Sequence, residues 1–246
     1  MIELVDLSKN YGAFQALKDI NLRVREGEIF GFLGPNGAGK TTTIKIMAGL
    51  MKPTSGKARI AGYDICKEPT KAKAQIGLVP DRPFLYEKLT AREFLKFVGT
   101  IRGMGASDLE AQMEGLLHTF GLDSWADKLI ENFSHGMKQR LVMCAALLHR
   151  PKVLIVDEPM VGLDPKGARL VKEIFRKEAQ KGVSIFMSTH TLEVAQEMCH
   201  RVAILDRGRI VAQGTAEELA AMTGQFGADL EEVFLRLTAG EEEGCL

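Results

Sequence analysis

The sequence predicts an α/β fold in which a mainly parallel sheet with crossover helices is interrupted by a helical insert. Three observations carry that expectation. Short apolar runs bounded by turn residues cluster at the two ends of the chain, residues 90–150 change to a helical period, and strands alternate with helices again after residue 157. The 246 residues are 46% hydrophobic and 26% charged, which excludes disorder and collagen-like repetition and lets the chain bury a core without staples.

Strands are expected at residues 2–5, 20–24, 28–33, 57–61 and 75–79, with a glycine-rich loop and a helix over 42–50 following the third. Thr90 and Glu93 have the spacing of a capping box ahead of Phe94, Leu95, Phe97, Val98 and Ile101. Ser107 and Glu110 repeat that spacing, so two helices with side-chain caps are expected. Ser134 is placed to cap a third, stopped by Pro151. A strand at 153–157 follows, then a helix opened by Asp164 and Pro165 and closed near Gly182, a strand at 183–188 and a helix from about Thr191. Strands at 202–205 and 209–213 flank a hairpin turn at Asp206, Arg207 and Gly208. Thr215 and Glu218 open a further short helix, and the chain ends in an acidic tail carrying Cys245.

Lys plus Arg and Asp plus Glu both total 32, so no global basic field steers the chain to nucleic acid, and no nucleic-acid partner is expected. Cys66, Cys144, Cys199 and Cys245 are far apart and form no metal-ligand pair, which reads as free thiols in a reducing compartment. The N-terminus alternates apolar residues with early charges and does not look like a signal peptide. No uncharged apolar run approaches the roughly 18 residues that span a bilayer, so a soluble chain is expected, with any membrane role exercised through a partner.

The chemistry concentrates in three places. Residues 34–41, GPNGAGKT, follow an apolar strand and open a helix, the context a phosphate loop requires. Its glycines let consecutive N–H groups turn inward around phosphates, Lys40 reaches the outer phosphates, and the Thr41 hydroxyl suits magnesium. This names a nucleoside triphosphate but not a reaction, since kinases, GTPases, helicases and transport ATPases share it. The strand at 153–157 ends in two carboxylates: Asp157 is placed to hold magnesium through water, and Glu158, next along and pointing the other way, to polarise an attacking water. Ser134 and Gly136 begin a helix whose N-terminus serves equally as an ordinary cap or an anion site.

Taken together, these motifs resemble the ATP-binding cassette (ABC) transporter ATPases over nearly the whole chain. Tyr11 matches the aromatic that stacks on adenine, and Gly34, Asn36, Gly37, Ala38, Gly39, Lys40, Thr41 and Thr42 match the phosphate loop. Ser134 to Gln139 match the family signature, Val153 to Glu158 the strand with its catalytic Glu, Gly162 to Asp164 the loop joining two sites, and His190 the switch histidine that contacts the terminal phosphate. The resemblance implies a P-loop NTPase core with an N-terminal antiparallel β subdomain and an inserted helical subdomain. It divides one domain into core residues 1–89 and 151–215, helical residues 90–150, and C-terminal helices and tail at 216–246. It further implies ATP and Mg2+, head-to-tail pairing of two identical or similar cassettes, and a separate integral membrane permease on whose cytoplasmic side they sit.

Two departures stand out. The family signature has Gly where this chain has His135 and Gln where it has Met137. Asp81 occupies the place of a Gln that senses magnesium and the membrane subunit, so Asp81 is read either as a direct magnesium ligand or as a coupling residue. These features and the ending at 230–237 look like the exporter-type branch. The segment from Asp81 to Lys88 mixes aromatics with charge and is read as a docking groove for a short permease helix, against an ordinary loop packing Phe84 and Leu85 inward. The rival functions are a soluble ABC ATPase acting on DNA, ribosomes or iron-sulfur assembly, and a P-loop kinase or regulatory nucleotide-binding module.

Overall fold

Burial alternates along the N-terminal apolar runs, and they pair with one another before the phosphate-loop strand begins. In a computed structural model, which describes residues 1–82, 84–222 and 229–239, Ile2–Tyr11 (β1) and Phe14–Val24 (β2) form an antiparallel hairpin about Gly12. After Ile29–Leu33 (β3), Ser55–Ile60 (β4) lines the other edge of β1 and Tyr63–Asp64 (β5) completes a four-stranded sheet in the order β2-β1-β4-β5. Both first strands run longer than the sequence pattern predicts. Asp6 and Asp19 sit at φ +48° and +52°, the pairing register shifts beside them, and these bulges break the alternation that would have revealed the full strands.

The second sheet has the order β10-β9-β3-β8-β7-β6, adding Ile76–Val79 (β6), Val153–Asp157 (β7), Ser184–Thr189 (β8), Arg201–Asp206 (β9) and Arg209–Gly214 (β10). Every pair is parallel except the β9/β10 hairpin, whose two-residue turn puts Arg207 and Gly208 at φ +43° and +80°. β3, β7 and β8 are buried at every residue, as strands covered on both faces must be. Successive residues of β7 face opposite cores. Leu154 and Val156 join the cluster built with the helical insert, while Val153 and Ile155 join the one built with the four-stranded sheet and with Ile44, Ile46 and Met47 of the phosphate-loop helix. By that parity Asp157 emerges on the phosphate-loop side.

The helices are Lys40–Met47 (α1), Pro69–Ala74 (α2), Ala91–Ile101 (α3), Ala106–Thr119 (α4), His135–Leu147 (α5), Pro165–Gln180 (α6), Leu192–Met198 (α7), Ala216–Met222 (α8) and Leu230–Ala239 (α9). The Thr90 capping box forms as expected, with Glu93 N donating to Thr90 Oγ1 at 3.1 Å and Thr90 N to Glu93 Oε2 at 2.8 Å. The second expected box does not. α4 begins after Gly105, without a side-chain cap, and Ser107 lies inside its first turn. Extended Gly105 takes the capping place, its carbonyl accepting from Leu109 N at 2.9 Å, and the Glu110 carboxylate pairs instead with Arg92 and Lys96 of α3. α8 and α9 cover β9 and β3 through Leu219, Leu230 and Val233. The acidic tail and Cys245 lie outside the described residues.

Candidate functional site

β3 delivers the chain to the phosphate loop, and the loop takes its shape because two of its glycines have no room for a side chain. A Cβ on Gly34 would lie 2.3 Å from Leu205 O. Gly39, at φ +115°, would put one 2.6 Å from Leu17 Cδ2. Lys40 is buried and its ammonium donates to the carbonyls of Gly34 at 2.6 Å and Pro35 at 3.1 Å. Burial lowers its pKa, opposed by the negative charges of Glu158 and Asp157.

The ends of β7 and β8 face this loop. Ser188 Oγ donates to Asp157 Oδ1, and Asp157 is 6% exposed. Burial raises its carboxyl pKa; the Ser188 bond opposes that, and the nearby charges of Asp81 and Glu158 reinforce it. Glu158 sits at φ +50°, a conformation that costs a non-glycine residue energy, and its carboxylate is held at the end of β8. There Thr189 Oγ1 donates to Oε2 at 3.1 Å, and His190 Nδ1 lies 2.7 Å from Oε1. Strand alternation alone would send Glu158 to the face opposite Asp157; with this turn both acids line one cavity.

Tyr11, Asn36, Gly37, Gly39, Lys40, Thr41, Thr42, Asp81, Asp157, Glu158 and His190 line a single cavity of about 440 Å³. Gly34 and Ala38 support it from behind, the Ala38 carbonyl accepting from Gly208 N at 3.0 Å. The Tyr11 hydroxyl donates to Met51 Sδ at 3.0 Å and the Lys9 ammonium lies 5.4 Å from the ring, which steadies an otherwise half-exposed aromatic at the cavity mouth. Phe14, 65% exposed, lines the same mouth, and no sequence motif marks it. The signal was its place just beyond Gly12, at the tip of a hairpin hidden by the bulges.

Ser134, Gly136 and Asp164 do not reach this cavity. Ser134 Oγ accepts from Met137 N at 3.3 Å as the cap of α5, and Asp164 Oδ1 accepts from Gly167 N at 3.0 Å as the cap of α6. A second region gathers beside the insert. Phe84 and Tyr86 are 82% and 51% exposed, Tyr86 packs edge-on against Phe97 with centroids 5.5 Å apart, and Leu85 and Leu89 pack into the core. Ion pairs join Glu87 to Lys138 and Lys88 to Glu131. Ile130 N donates to Leu89 O at 2.9 Å and Glu131 N to Glu87 O at 3.1 Å.

A phosphate loop, a strand-end carboxylate pair and a histidine bound to the second carboxylate define a nucleoside triphosphatase of the P-loop class. The comparisons narrow it. The model of the family described as "ABC transporter" matches residues 17–161. The linearmycin resistance ATP-binding protein LnrL of Bacillus subtilis (strain 168) is 39% identical over 224 residues, covering 91% of this chain and 72% of that protein. A solved ATP-binding subunit of an ABC transporter superposes with a TM-score of 0.92 at 36% identity, covering 96% of this chain and 99% of the other. The dimeric cassette MJ0796, bound to ADP and Pi after hydrolysis, superposes with a TM-score of 0.80 at 27% identity, covering 87% and 98%. The chain belongs to the ABC transporter family and is one of its ATPase subunits.

Proposed function

We propose that this subunit binds ATP with magnesium in the cavity between the phosphate loop and the ends of β7 and β8, and hydrolyses it to drive a separate membrane permease. The Glu158 and His190 pair facing the phosphate loop carries this reading. Loop N–H groups and Lys40 hold the phosphates, Tyr11 supports the base, and Glu158 polarises the attacking water while His190 orients it against the terminal phosphate. Thr41, Asp157 and Asp81 offer only oxygen donors, and the mutual repulsion of Asp81 and Asp157 is what a divalent cation would relieve, so the residues fit magnesium. That ion would neutralise charge developing on the phosphates. Ser134, Gly136 and Asp164 lie outside the cavity, which supports their serving the nucleotide of a second, head-to-tail cassette.

In this reading the exposed aromatics at Phe84 and Tyr86 receive a permease helix, and the pair of cassettes works at the cytoplasmic face of a membrane. Relatives named for drug resistance and for Nod factor export support an export role. The test is capture of the tagged chain from solubilised membranes, followed by assay of its ATP turnover with and without the polytopic protein recovered. Recovery of ribosomes or DNA in place of such a protein would favour a soluble ABC ATPase.

A further inference from the structure

The signature departs from the family at His135, and the ring of that residue occupies a defined place. A Cβ built on Gly162 would lie 2.0 Å from His135 Cδ2 and 2.4 Å from Nε2, so the imidazole rests against the bare backbone of Gly162. A second approach lies beside it, because a Cβ on Gly136 would be 3.4 Å from Gly162 O and 3.5 Å from Leu163 Cδ2. The loop that receives the ring is tied to the hydrolytic site, Val161 N donating to Glu158 O at 3.2 Å. His135 is also flanked by the two residues, Ser134 and Gly136, that the proposed dimer offers to the partner's nucleotide. An exposed imidazole on two rotatable bonds has to be kept off that face if the partner's phosphates are to reach it.

We propose that Gly162 is the berth of His135, and that the seated ring is a positioning contact that keeps the Ser134 and Gly136 face open for closure of two cassettes around ATP. This rests on the head-to-tail dimer reading. Any side chain at position 162 unseats the ring, which then stands over the phosphate-binding end of α5. His135 therefore makes glycine necessary at 162 for a reason beyond its φ of +76°.

The test is compensation, measured as the dimer dissociation constant of Glu158→Gln protein in ATP and magnesium by analytical ultracentrifugation. Gly162→Ala should weaken the dimer at least tenfold. Adding His135→Ala should restore it to within about twofold to threefold of His135→Ala alone, while monomer ATP affinity follows the parent in every variant and the backbone strain of Gly162→Ala lowers the melting temperature alike with His135 present or absent. Equal weakening by Gly162→Ala with His135 present or absent would assign the effect to backbone conformation and overturn the berth. A Glu158→Gln parent that forms no ATP-dependent dimer would overturn the dimer reading and the berth with it.

Discussion

Nδ1 of His190 lies 2.7 Å from Oε1 of Glu158, and both oxygens of that carboxylate are held by the end of β8, the second by Thr189. A general base gripped at both oxygens is fixed before substrate arrives. Glu158→Gln should therefore retain ATP affinity and lose about 10²-fold or more in turnover, the scale of an acid/base contribution. Stalled nucleotide should then trap a dimer on gel filtration with ATP and magnesium. A monomeric variant with parental turnover would contradict the assignment.

Ser134 and Gly136 lie outside the cavity that Lys40 lines, so damage at the two places should differ in kind. In the head-to-tail reading, Gly136→Asp sets a carboxylate against the terminal phosphate held by the partner, a like-charge contact costing on the order of several kcal/mol. Fluorescent-nucleotide titration should find monomer binding spared, with turnover and dimerisation lost. Loss of binding as complete as in Lys40→Ala would put the signature in the same site.

Asp81 and Tyr86 test coupling. Under the docking reading, Asp81→Ala and Tyr86→Ala leave the isolated subunit's turnover within a few-fold of the parent and weaken its stimulation by the permease. Assays across a magnesium titration separate the alternatives. A large basal loss in Asp81→Ala that excess magnesium repairs assigns Asp81 to the ion, and unchanged stimulation in both variants removes the docking reading.

His149 predicts an acid limit on stability. Its Nε2 faces Ile76 O at 3.1 Å, its Nδ1 is buried without a hydrogen-bond partner, and Arg102 donates to the same carbonyl. Burial, reinforced by the Arg102 charge, lowers its pKa from 6.5 to about 4. The unfolded chain thus takes up a proton at a higher pH than the folded one. The contribution is complete above pH 6.5 and is lost as pH falls toward 4, on the order of 1–2 kcal/mol after allowance for partial exposure. His149→Gln should flatten the slope of chemical-denaturation stability between pH 6.5 and 4; an unchanged slope would clear His149 of it.

The parallel sheet, the phosphate loop and the strand-end acids were legible because each is a local pattern: continuous apolar runs for β3, β7 and β8, glycines before Lys40, carboxylates where β7 leaves the core. What escaped depends on contacts distant in sequence. The bulges at Asp6 and Asp19 concealed half of β2 and with it Phe14. Glu110 was read as a cap because its spacing allowed one, yet Arg92 and Lys96 from another helix claim it. The seat of His135 on Gly162 has no local sequence signature at all.

The fastening of residues 87–89 to 129–131, together with the ion pair from Glu87 to Lys138 on the signature helix, joins the exposed aromatics to the end of α5. Binding free energies linked through one such joint are reciprocal. Under the docking and head-to-tail readings, whatever factor the permease adds to closure of the cassettes on ATP, ATP must add to their hold on the permease. Where that factor exceeds one, the subunit is tethered most firmly when loaded, and spent nucleotide loosens its attachment by the same ratio.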